Sequence, residues 1–175
     1  MWSSDRRRLL KLLVAAPATL AALSACGFTP AYAPGGGADR LLNVTRLPDP
    51  DSGDSYILVR ELEQRLGRPQ SPLYDLGLKL SVSEAALAIT TDGTTTRFNV
   101  VGDLSYTLRD IASGTQIGAG RVTNFSGYSA TGTTVATQAA QRDAHKRLVI
   151  MLANMLMPRL IADAAKAPPH QTLTP

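Results

Sequence analysis

The run from Phe98 to Leu108 limits the fold more than any other stretch of the chain. Phe98, Val100, Leu104, Tyr106 and Leu108 fall on one side of a two-residue repeat, and Arg97, Asn99, Asp103, Ser105, Thr107 and Arg109 on the other. An alternation of this length is a β-strand with one face buried and the other open to polar surroundings. A single such strand is not stable, so it needs strand neighbours and a second layer over its apolar face.

The flanking sequence supplies both. Upstream, Leu76, Leu78, Leu80 and Val82 alternate with Gly77, Lys79 and Ser81; the phase then passes to Leu87 and Ile89, as a β-bulge near Glu84 to Ala86 would make it. Thr91-Asp92-Gly93-Thr94 is hairpin chemistry between the two strands. Downstream, a turn containing Ser113-Gly114 leads into a last strand from Gln116 to about Phe125, whose facing is left ambiguous by Gly118 and Gly120. The covering layer comes from two helical patterns. Leu58, Val59, Leu62 and Leu66 recur at helical spacing after a cluster of N-cap residues (Asp51, Ser52, Asp54, Ser55) and before Gly67. From Thr133 onward Ala136, Ala140, Ala144, Leu148, Leu152 and Met155 form one stripe, joined by Ala139, Met151 and Leu156. Pro158 is expected to end or kink this helix near Met157. With a short first strand at 41–47, closed by Pro48, the order is strand-helix-strand-strand-strand-helix. The expected fold class is α+β: a two-layer sandwich with two helices on one face of a mostly antiparallel four-stranded sheet.

The N-terminus follows different rules. Arg6, Arg7, Arg8 and Lys11 precede an apolar run from Leu12 to Leu23, which is shorter than the roughly 20 residues that span a bilayer and is broken by Pro17. Leu23-Ser24-Ala25-Cys26 then resembles a bacterial lipobox, with small residues at Ser24 and Ala25 to enter a protease cleft and a thiol at Cys26 to take a lipid thioether. Several acyl chains, at roughly 0.8 kcal/mol per buried methylene, make a lasting anchor. Gly27 stands where an Asp would resemble an inner-membrane retention signal, which favours the outer membrane. Asp5-Arg6-Arg7-Arg8-Leu9-Leu10-Lys11 also resembles a twin-arginine export signal; an ordinary basic start for general secretion reads the same way. The expected organisation is a signal peptide at 1–25, a lipidated N-terminus and flexible tether at 26–40, an α+β domain at 41–162 and a disordered tail at 163–175.

Charge and rare residues exclude whole classes of function. The full chain has Lys+Arg 18 against Asp+Glu 14, a net charge of +4 and a pI near 9.5. Cleavage before Cys26 removes Arg6, Arg7, Arg8, Lys11 and Asp5, leaving 14 against 13. A near-neutral domain with scattered cations lacks the concentrated positive face that nucleic acid requires. One Cys and two His exclude a disulfide framework and a Cys/His metal site. His145, one step off the helical stripe beside Lys146 and Arg147, reads as a surface residue; His170 lies in the tail; Ser126 and Ser129 lack a G-x-S-x-G context; Gly35 to Gly37 precede no strand-helix phosphate loop. No catalytic residue, cofactor or metal is therefore expected.

Cys26-Gly27-Phe28-Thr29-Pro30-Ala31-Tyr32 resembles the C-G-F-x-P-L-Y start of the alphaproteobacterial LptE lipoproteins, which assemble lipopolysaccharide. The Leu58 to Leu66 helix, and Arg142-Asp143-Ala144 with Leu148, Leu152 and Leu160 following Tyr128, are similar to the family's order of elements, so the resemblance spans about 26–162. It implies a lipid-anchored protein on the periplasmic face of the outer membrane that plugs the β-barrel LptD, helps that barrel assemble and assists passage of lipopolysaccharide. Enterobacterial members carry a basic side chain at the second hairpin turn; here the turn is Thr91-Asp92-Gly93 and Arg97 is the nearest cation, the candidate for pairing with lipopolysaccharide phosphate. The competing class is a free-standing lipid- or solute-binding envelope lipoprotein, such as an auxiliary subunit of an ABC transporter.

Overall fold

The computed structural model describes Tyr32, residues 36–89 and residues 95–167. The expected signal peptide at 1–25, the expected lipobox residues Leu23, Ser24 and Ala25 with acceptor Cys26, the expected hairpin turn at 91–94 and residues 168–175 of the expected tail lie outside the described residues. The elements in chain order are β1 (Thr45–Arg46), α1 (Gly53–Leu66), β2 (Tyr74–Ile89), β3 (Thr95–Asp110), β4 (Gln116–Ser129) and α2 (Thr134–Lys166). They form a four-stranded sheet in the order β1-β2-β3-β4, covered by both helices on one face. β1 runs parallel to β2, and the other two pairings are antiparallel, so the sheet is mixed.

The alternation in β3 places its side chains as the sequence requires. Val100, Leu104, Tyr106 and Leu108 are buried, in one core with Leu76 and Val122 of the neighbouring strands, Leu58, Leu62 and Leu66 of α1, and Leu148, Leu152, Leu156 and Leu160 of α2. Each fully buried leucine contributes about 1.5–3 kcal/mol. Gly102 is the gap in this face: a Cβ there would come within 2.8 Å of Leu152 Cδ1 and 3.0 Å of Leu148 Cδ2, so its missing side chain lets α2 settle onto the sheet. Helix α1 starts where its polar cluster can cap it. Ser52 is the N-cap, its Oγ accepting from the Ser55 amide, while Ser55 Oγ accepts from the Ser52 amide, a reciprocal capping box.

Several expectations are corrected. The first strand shrinks from 41–47 to two residues because Asn43 adopts a left-handed backbone (φ 58°), which an extended run cannot contain. The bulge in β2 falls later than expected: the register shifts lie between Ala86, Ala88 and Ile89, so Leu87 is 68% exposed and Glu84 keeps the phase of Leu76 to Val82. Strand β4 continues four residues past Phe125 to Ser129, and its even-numbered residues Val122, Ser126 and Tyr128 are buried on the helix side, which resolves its facing. Phe98 and Tyr128 stack there, with ring centroids 5.2 Å apart.

Helix α2 differs most. It has 33 residues and passes through Pro158 to Lys166. A mid-helix proline costs about 3 kcal/mol. Here Pro158 and Asn154, the residue whose carbonyl loses its partner, are both exposed, so water can take over that bond. Leu152, Leu156, Leu160 and Ala164 are buried on both sides of the proline and hold the helix on the sheet. The buried stripe also lies further along than expected: Ala136 and Ala139 are exposed, Met155 is 38% exposed, and the buried line runs from Ala144 to Ala164. By length and composition α2 could cross a bilayer, but its apolar side is occupied by the core.

Regular structure thus enters the segment expected to be a tail, at 163–166. The expected tether is likewise packed over its last residues: Gly36, Gly37 and Ala38 are buried, a Cβ on Gly37 would collide with the Ile161 carbonyl, and Arg40 Nη1 donates to the carbonyls of Ala167 (2.6 Å) and Ala164 (3.4 Å). A guanidinium at a helix C-terminus satisfies orphan carbonyls and opposes the helix dipole.

Candidate functional site

With both helices on one side, the other face of the sheet has no covering layer among the described residues. It carries the odd-numbered residues of β2, β3 and β4. Small and hydroxylic side chains dominate it: Gly77, Ser81 and Ser83 on β2, Ser105 and Thr107 on β3, Ala119, Thr123 and Gly127 on β4. Strands of 14 and 16 residues at about 3.3 Å per residue give this face a length of roughly 50 Å. Its best-organised charge is a cross-strand pair in which Arg121 Nε donates to Asp103 Oδ2, with Thr123 Oγ1 donating to the same oxygen at 2.9 Å. The hydrogen bond from Arg121 holds the Asp103 carboxyl below its ordinary range. Phe125, 64% exposed, is a large apolar side chain presented on this face.

Arg97 stands at the start of β3, paired in register with Ser129 and Ala88. It is exposed and, among the described residues, makes no ion pair. The hairpin turn beside it, 91–94, lies outside the described residues. The outward set expected from sequence (Arg97, Asn99, Asp103, Ser105, Thr107, Arg109) does share the uncovered face. The free edge of β4 is blocked by side chains: Arg159 Nη1 donates to the Arg121 carbonyl (2.7 Å), Arg147 Nη2 to the Gly127 carbonyl (3.2 Å), and the Phe125 amide to Asn124 Oδ1 (2.8 Å).

The helix side holds a second polar feature that the sequence did not disclose. Glu84, in phase with the apolar residues of β2, accepts hydrogen bonds from Tyr128 Oη (2.7 Å), Gln141 Nε2 (2.7 Å) and His145 Nε2 (2.8 Å). Burial alone pushes the Glu84 carboxyl up, but the three donors together hold it below its ordinary value. Burial, and then the bond to Glu84, push the Tyr128 phenol up to about 12. His145 is a bridging residue, contrary to its reading as a free surface side chain: its Nδ1 lies 2.8 Å from Asp54 Oδ2 on the first turn of α1. A cavity of about 470 Å³ opens beside this bridge, lined by Gly53, Asp54 and Ile57 of α1 and by Gln141, Arg142, His145 and Lys146 of α2. Among the described residues no group of three or more His, Cys, Asp or Glu side chains is arranged to hold a metal. The signal that could have found the cluster is the alternation from Leu76 to Val82 carried one step further, which puts Glu84 on the helix side.

This two-layer arrangement is the fold of a class of bacterial lipoproteins. A Caulobacter crescentus CB15 protein described as a lipoprotein is similar with a TM-score of 0.59 and 23% identity, over 75% of this chain and 98% of that one. The rare lipoprotein B of Shewanella oneidensis is similar with a TM-score of 0.54 and 11% identity, over 68% and 92%. A minor lipoprotein of Acinetobacter baumannii gives 0.51 and 18%, over 72% and 95%. No curated protein sequence matches. The family model for LptE, lipopolysaccharide-assembly, matches residues 42–160, and the chain belongs to that family.

Proposed function

We propose that this chain is a lipoprotein acylated at Cys26, held at the periplasmic face of the outer membrane, which plugs the β-barrel LptD and assists its assembly and the delivery of lipopolysaccharide. The observation that carries this reading is the coincidence of the LptE match at 42–160 with the folded domain. The uncovered sheet face supports it physically. A plug must meet a wet barrel wall closely without an apolar patch that would aggregate before docking, and small hydroxylic residues with a single exposed aromatic satisfy both demands. Arg97, exposed and free of an ion pair among the described residues, is the cation proposed to meet lipopolysaccharide phosphate.

The test is extraction of the tagged chain in mild detergent from its own membranes. A stoichiometric complex with the barrel is expected, together with an intact mass that carries acyl chains on Cys26. Recovery of the chain alone, as a monomer, would overturn the barrel partnership and favour the free-standing lipid- or solute-binding class.

A further inference from the structure

We propose that His145 is a proton-operated clip that fastens the first turn of α1 to β2 and α2, and lets that turn go when the imidazolium loses its proton. The geometry demands the charged form in the closed state. Nδ1 is 2.8 Å from Asp54 Oδ2 and Nε2 is 2.8 Å from Glu84 Oε1. Carboxylate oxygens only accept, and a neutral imidazole has one N–H, so both contacts are favourable only when both ring nitrogens carry protons.

The groups around the ring decide when that happens. Asp54 on α1 and Glu84 on β2 touch it and favour its charge. On its own helix Arg142 and Lys146 line the same cavity and oppose it, while Gln141 is neutral. Tyr128 of β4 reaches the cluster only through Glu84. Burial works against the charge, and the two carboxylates in direct contact outweigh it, which places the imidazole above its ordinary 6.5. The clip is therefore closed at and below that pH and opens as pH rises through the higher value of the folded protein.

The arm that gives way is the one to Asp54, the carboxylate that has no further side-chain donor among the described residues. Glu84 remains held by Tyr128 and Gln141 after the ring is neutral. Asp54 sits on the half-buried first turn of α1, and His145 ties its carboxylate to the rest of the domain. The other end of α1 is tied by Arg65 Nη2 to Asn154 Oδ1 at 2.7 Å, a bond that needs no titrating group. Proton loss thus frees one end of α1 and widens the 470 Å³ cavity between it and α2.

The experiment uses the full chain in detergent micelles, from about pH 5 to about pH 9. Amide exchange, corrected for its intrinsic pH dependence, is followed over 54–58 and 63–66, and the His145 ring is titrated by NMR. Protection at 54–58 should fall across the His145 midpoint, by about tenfold for each unit that midpoint stands above the ordinary value; protection at 63–66 should stay level. Asp54→Asn should lower the midpoint and abolish the step, and His145→Gln should make protection independent of pH. A His145 midpoint at or below 6.5, no step in the wild type, or a step that survives in either variant would overturn the clip.

Discussion

Gly102 shows how one missing side chain can set the spacing of two layers. Leu148 and Leu152 occupy the volume a Cβ would need, and both are fully buried. Gly102→Val is expected to force the two leucines off their rotamers and destabilise the domain by about 1–3 kcal/mol, read as a lower urea midpoint with an unchanged slope. Residues of this kind are poorly legible in sequence, because Gly102 interrupts an apolar series without announcing what lies opposite. Glu84 is the complementary case. The bulge expected near Glu84 to Ala86 hid its phase, and its partners come from residues 128, 141 and 145: the strand register brings Tyr128 within reach, and the packing of α2 on the sheet brings Gln141 and His145. His145 was read as a surface residue for the same reason: local charge neighbours describe the helix, while Asp54 and Glu84 arrive from elsewhere.

At the scale of elements, local pattern was reliable where burial is continuous and failed where tertiary contact overrides a local rule. β3 and the core of α1 were legible because every second or every third-to-fourth residue reports the same environment. The end of α2 was not. A proline rule considers one helix in isolation, whereas here buried Leu156, Met157, Leu160 and Ala164 hold the chain in helical register beyond it. Removing the proline should therefore leave the architecture intact and restore the missing bond to the Asn154 carbonyl. Pro158→Ala is expected to stabilise the domain by about 1–3 kcal/mol, measured as a rise in Tm with unchanged near-ultraviolet dichroism. A loss of stability would mean that the helix depends on the bend geometry proline imposes. The β1 segment was misjudged on similar grounds: β-branched residues at Val44 and Thr45 favour a strand, but Asn43 turns the chain before them.

For the whole molecule, the two faces have different tasks. One is closed by helices and carries the core; the other is uncovered among the described residues and is the surface offered to the barrel in the proposed function. Phe125 is the side chain best suited to anchor such a contact, being aromatic, mostly exposed and on the uncovered face of β4. Phe125→Asp should leave the thermal unfolding of the isolated chain within about 0.5 kcal/mol of wild type, and should sharply reduce recovery of the barrel in the detergent extraction. Unchanged recovery would place the barrel contact on another part of the molecule.

The packing of Gly37, Ala38 and Arg40 against the end of α2 has a mechanical meaning. Residues 36–40 and the last turn of α2 meet at one corner, where Arg40 grips the carbonyls of Ala164 and Ala167. In the proposed lipid-anchored protein, tension arriving ahead of residue 36 would pass through this corner to the C-terminal turns of the longest helix rather than to β1 at the sheet edge. Under the proposed anchoring at Cys26, the load would therefore fall on the longest helix and its core contacts, and the sheet face turned away from the helices would stay clear of it.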